Sequence, residues 1–199
     1  MDTSKFKIIG IGGTNGSGKD TLGLLLAKHH KYLFVSVTEL LRDECTKRNI
    51  PPSRENLRMV SAEWRREFGL GVLVDKAVEL FEFSQETYSG VAIASLRNPG
   101  EADEVHKLSG MVIWIDADPH VRFERIKKSA EHRSHRIHED DKTFEEFLAE
   151  EEAEMHHSGD EATLNMAGVK ELADVKLMNN EDDTDSFKNV VEKILELPE

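Results

Sequence analysis

The chemistry most plainly written in this chain lies in Gly13-Thr14-Asn15-Gly16-Ser17-Gly18-Lys19-Asp20-Thr21. A short apolar, β-branched run (6–11) precedes it and a run of helical composition (22–30) follows. Gly-x-x-x-x-Gly-Lys spacing between a strand and a helix is that of a loop that wraps a polyphosphate. The glycines let the backbone curl so that successive N–H groups point inward. The helix N-terminus adds a partial positive charge, and Lys19, placed by this reading on a solvent-facing loop, adds a full one. The lysine is followed by Asp20, where Ser or Thr would put a hydroxyl on magnesium. A carboxylate facing phosphate oxygens meets repulsion. Asp20 therefore reads either as a partner of the metal, its water shell or a neighbouring cation, or as an acid favoured by the helix dipole. Thr21 offers a hydroxyl and an N–H on the first turn. All nine residues are expected at a nucleotide-phosphate site.

Arginines recur in the segments that follow the other apolar runs, and their planar forks match phosphate oxygens better than ammonium groups do. Arg42 lies one turn into Thr38-Glu39-Leu40-Leu41-Arg42, a capped helix start. Arg97 closes Ser95-Leu96-Arg97, and Arg133 and Arg136 lie in the polar segment 131–141. Arg122 and Arg125, three apart on a helix, serve equally well as partners of Glu124 or Glu131. His132, His135 and His138 could bring two imidazoles to one face for a metal, although no cysteine accompanies them. The acidic run from Glu145 to Glu154 reads as a solvated helical face. Trp64 and Trp114 read as core.

These residues need a scaffold. Apolar β-type runs at 6–12, 33–37, 91–95, 111–116 and 174–178 are nearly continuous, which suggests a sheet covered on both faces. The spacers 19–30, 38–48, 53–69, 71–83, 99–109, 119–132, 142–157 and 184–196 have helical composition. Such alternation implies parallel strands with right-handed crossovers and a ligand site at their carboxyl ends. The expected fold class is α/β: a three-layer P-loop NTPase fold with a five-stranded parallel sheet and helices on both faces. A single domain over 1–199 is expected.

Composition sets limits on partners. The 199 residues are 38% hydrophobic and 33% charged, with a formal charge of −13. That acidic excess argues against a nucleic-acid surface. One cysteine, Cys45, leaves no disulfide framework and fits a reducing cytoplasm. No apolar run approaches the length of a membrane span and no signal peptide opens the chain, so a membrane partner is not expected.

With these motifs in hand, the chain resembles P-loop kinases of the nucleoside monophosphate kinase group, which includes adenylate kinase and dephospho-coenzyme A kinase. It is similar over nearly its whole length to small nucleotide kinase-like P-loop proteins. The resemblance implies ATP and Mg²⁺ as cofactors and transfer of the γ-phosphoryl of ATP to a small metabolite, a nucleoside monophosphate first. Dephospho-coenzyme A kinase-like activity, or an NTPase or regulatory protein without a small-molecule acceptor, are the alternatives. Thr38 to Arg42 resembles the helix start that holds the acceptor phosphate, and Arg97 matches the arginine closing the third-strand motif. Residues 38–83 would form the acceptor-binding helical insertion. Residues 131–142 would form a short lid, whose Arg133 and Arg136 close over the transferred group. These kinases carry an Asp near the end of the third strand; here Ile93-Ala94-Ser95 stands there, and the metal falls to Asp20 or Asp116.

Overall fold

Strand residues send successive side chains to opposite faces, so a strand apolar at every position needs a cover on each side. In the computed structural model, which describes residues 6–130, 142–156, 159–181 and 183–197, the inner strands receive that cover, and the sheet has five strands in all. They are β1 (Ile8–Gly13), β2 (Tyr32–Ser36), β3 (Gly90–Leu96), β4 (Met111–Asp116) and β5 (Val175–Met178). All pair in parallel, in the order β2-β3-β1-β4-β5. Ile8, Val91, Ile93, Val112 and Trp114 face one layer. It comprises α2 (Val37–Lys47), α3 (Arg54–Phe68), α4 (Val72–Glu82), α5 (Pro99–Lys107) and the short α8 (Met166–Leu172). Ile9, Ile11, Ala92, Ala94, Ile113 and Ile115 face the other, α1 (Lys19–His30) and α9 (Thr184–Ile194). Two further helices, α6 (Pro119–Ala130) and α7 (Phe144–Met155), lie between β4 and α8 in the chain. The result is a three-layer α/β fold.

The apolar runs gave the strands to within two residues at each end, and the expected helices are present with their ends, where these fall on described residues, within two residues of those expected. Residues 38–83 contain α2, α3 and α4, inserted between β2 and β3. The seven-residue α8 was not expected; it is short, carries Gly168 inside it, and is capped by Asn165, whose Oδ1 accepts from Gly168 N at 3.0 Å. Trp64 and Trp114 are core residues. Cys45 is a buried free thiol whose pKa burial pushes up. No helix among the described residues is long and apolar enough to cross a membrane. The stretch 131–141, including Arg133, Arg136 and the three histidines, lies outside the described residues.

Candidate active site

The order β3-β1-β4 puts β1 in mid-sheet, and the phosphate loop leaves its carboxyl end. Gly13, with φ of 145°, ends β1 so close to β4 that a Cβ would stand 2.1 Å from Ile115 O. Gly16 (φ 79°) passes under α6, where a Cβ would meet Arg122 O at 2.7 Å. Only glycine fits either place. Polar side chains then pin the loop. Thr14 Oγ1 donates to Asp116 Oδ1 at 2.7 Å, Arg122 Nη1 to Asn15 O at 3.3 Å, and Asn179 Nδ2 to Ser17 O at 2.8 Å.

Lys19 is the first residue of α1. Contrary to the expectation of a solvent-facing lysine, it is only 7% exposed and folds back so that Nζ donates to Thr14 O at 2.6 Å. Burial, with the nearby charge of Arg97 second, lowers its pKa to about 8. Ser17 Oγ is also buried and has no hydrogen-bond partner. A desolvated ammonium and an unsatisfied hydroxyl inside a curled loop are suited to an incoming polyphosphate.

Beside the loop lies a cavity of about 420 Å³. Asn15, Gly16, Gly18, Lys19, Asp20 and Thr21 line its floor, and Thr38, Arg42 and Arg97 line the side towards α2 and β3. These expected site residues therefore meet around one space. Gly13, Thr14 and Ser17 form the inner layer of the loop and do not line it. Asp20, exposed on the first turn of α1, lines the cavity. Asp116 lies outside the cavity and is otherwise engaged. Besides Thr14 it accepts from Ala117 N at 2.9 Å and lies 3.5 Å from Lys170 Nζ and 3.7 Å from Arg122 Nε.

Several lining residues escaped the sequence reading. Arg54, Arg58, Ser61 and Arg65 form a polar stripe along α3, spaced four, three and four apart, and all face the cavity. That spacing is one helix face, so the signal was present. Ser95 also lines the cavity. It is the extra residue of a β-bulge, because Ile11 pairs with Ala94 while Gly12 pairs with Leu96, and its φ is +75°. A non-glycine residue held in that conformation at a site is strain the surrounding fold imposes. On the far side the cavity is lined by Arg125, Ser129, Asn179, Asp183 and Phe187. Arg125 donates to Asn179 O and Glu181 O, each at 2.7 Å, and Arg122 to Ala117 O at 2.8 Å and to Glu151. Both arginines thus brace the loops around the site.

Arg97 is placed by a buried network. Glu101 Oε2 accepts from Arg97 N at 2.7 Å and Asn98 N at 3.2 Å, while Oε1 accepts from Arg65 at 3.2 and 2.7 Å. Arg65 and Glu101 side chains are 2% and 0% exposed. The guanidinium of Arg97 reaches Glu154 on α7, and Arg58 Nη2 reaches the other oxygen of that carboxylate at 2.8 Å. Glu154 is buried, so the acidic run is not a solvated face throughout. Burial alone would raise its pKa, but Arg97, Arg58 and Arg54 hold it down to about 2.

Comparisons with known proteins agree with this architecture. A family described as an AAA domain matches residues 9–155. A UPF0200 protein of Pyrococcus abyssi is 31% identical over 195 residues, covering 94% of this chain and 95% of that one. A UPF0200 protein of Methanococcus maripaludis is 28% identical, covering 95% and 98%. Among solved structures, shikimate kinase from Bacteroides thetaiotaomicron is similar with a TM-score of 0.56 at 15% identity, covering 96% of this chain and 98% of that one. Shikimate kinase from Acinetobacter baumannii in complex with shikimate gives 0.55 at 14%, covering 97% and 95%. The likeness to these kinases is one of fold.

Proposed function

The chain belongs to the family described as an AAA domain and to the UPF0200 proteins, and from that premise we propose that it is an ATP-dependent kinase whose acceptor is a nucleoside monophosphate. One observation carries this reading: a single cavity joins the phosphate loop to an arginine cluster on α2, α3 and the end of β3. A plain NTPase needs the first half of that cavity and has no use for the second.

In this reading the loop amides and Lys19 hold the β- and γ-phosphates. Asp20 holds Mg²⁺ at the phosphates, and the ion, when bound, neutralises charge on their oxygens. Thr38, Arg42 and Arg97 hold the acceptor, with Arg54 and Arg58 beside them. Arg133 and Arg136 remain assigned to the closing of the site. A loose phosphoryl transition state asks for alignment and charge neutralisation more than for covalent help, and these residues supply both.

The test is an acceptor screen in which ADP formation from ATP is measured with each nucleoside monophosphate, with dephospho-coenzyme A and with no acceptor. ADP formation that depends on a nucleoside monophosphate supports the reading; formation indifferent to any acceptor contradicts it. With the true acceptor, Arg97→Ala should lose roughly 10- to 150-fold in acceptor KM or turnover, one charge-assisted contact, while ATP affinity stays within about threefold.

A further inference from the structure

Where the acceptor's anion would sit, the chain has put an anion of its own. Glu154 Oε1 lies 2.8 Å from Arg58 Nη2 and 4.0 Å from Arg54 Nη1, and Oε2 accepts from Arg97. The carboxylate is 9% exposed, while the three guanidinium side chains keep 25–46% of their surface and line the same cavity as Lys19. Both oxygens of one carboxylate are thus used, shared among three guanidinium groups, of which Arg54 also pairs with Glu150 at 3.0 Å.

We infer that Glu154 is an internal competitor for the acceptor's anion, which sets a charge threshold: a phosphomonoester dianion displaces it and a carboxylate does not. This rests on the kinase reading for the word acceptor, but the competition itself is a property of the arginine cluster.

The physical argument is one of exchange. A carboxylate tethered on a neighbouring helix acts at an effective concentration in the millimolar range without losing translational freedom on docking. A free monocarboxylate offers the arginines the same charge and the same two oxygens, so the exchange gains nothing. A phosphomonoester brings a charge of about −1.5 to −2 and three acceptor oxygens, enough to engage Arg54, Arg58 and Arg97 together. Glu154 is ionised throughout the neutral range, so the competitor is always present. Two more carboxylates of α7 are ion-paired, while buried Phe147, against Phe123, and Met155, against the core, hold the helix by apolar contact. Glu150 pairs with Arg54 at 3.0 Å and with Lys142 at 2.5 Å, and Glu151 pairs with Arg122. Trading Glu154 for another anion therefore concerns the last turn of α7 and leaves Phe147 seated.

The experiment titrates inorganic phosphate and acetate into protein whose phosphate loop is filled with a non-hydrolysable ATP analogue, comparing the wild type with Glu154→Gln. The wild type should bind phosphate and show acetate binding at least about tenfold weaker; Glu154→Gln should tighten both anions by about tenfold or more. Binding that is unchanged or weaker in Glu154→Gln would overturn the inference, since Glu154 would then be a support or a ligand and not a competitor. A second measurement needs no variant. Saturating phosphate should speed amide hydrogen exchange along residues 150–155 of the wild type as the last turn of α7 loses the Glu154 ion pairs, and unchanged or slower exchange there contradicts the proposal. Should the ATP analogue fail to bind, the kinase reading falls, and the two proteins compared without it still decide the role of Glu154.

Discussion

Lys19 occupies its place at an energetic cost. Moving the pKa from 10.5 to about 8 disfavours the folded ammonium by about 3 kcal/mol at neutral pH. Between those two pH values the unfolded chain binds more protons than the folded one, so this residue makes stability rise with pH across that window. A polyphosphate would restore the ammonium. ATP affinity is therefore expected to be flat below pH 8 and to weaken by about tenfold per pH unit above it, as binding takes up a proton. Lys19→Met should raise the thermal midpoint at pH 7 in the absence of nucleotide, lower ATP affinity by about 10- to 150-fold, and abolish the pH dependence. Calorimetry between pH 7 and 9.5 with both proteins checks all of these points, and affinity unchanged by the substitution would mean that Lys19 does not meet the phosphates. The glycines and the lysine were legible in the sequence because each has a local backbone reason to be there. The burial of Lys19 was not, since it depends on a carbonyl turned back by β4 packing. Nor was Ser95 marked: serine carries no sign of a positive φ, which the register of β1 against β3 imposes.

At the scale of elements, the site is a meeting of α3, α7 and the turn after β3. The acidic sequence of α7 looks like a solvated helix because the partners of Glu150 and Glu154 on α3 lie 96 residues away in the chain. Short-range patterning cannot show which carboxylates will be met. The α3 stripe is a periodicity within one helix, but that periodicity does not say which partners its arginines meet: Glu150 and Glu154 for Arg54 and Arg58, Glu101 for Arg65. The Arg65–Glu101 pair shows how strongly this corner is fixed. Arg65→Met leaves Glu101 as a buried, partly paired charge, which should destabilise the protein by about 3–5 kcal/mol. Chemical denaturation measures that loss. A change under about 1 kcal/mol would mean that Asn98 and the two backbone amides alone hold the β3–α5 turn.

At the scale of the whole molecule, the parallel order β2-β3-β1-β4-β5 is what joins the parts. It sets the loop after β1 beside the ends of β2 and β3, so groups from positions 19, 42 and 97 share one cavity. The strands and most helices followed from apolar runs and their spacers. On the α2–α3 side of the cavity Thr38, Arg42 and Arg97 were expected, whereas Arg54, Arg58 and Glu154 were not, because these three meet only by tertiary contact. In a nucleoside monophosphate kinase built on this cavity, the γ-phosphoryl group crosses from one half of it to the other. Phosphorus NMR of a reaction holding ATP, Mg²⁺ and a mixture of nucleoside monophosphates follows that group directly. Nucleoside diphosphate should appear in step with ADP, without free phosphate. ADP accompanied by an equal amount of inorganic phosphate would contradict it.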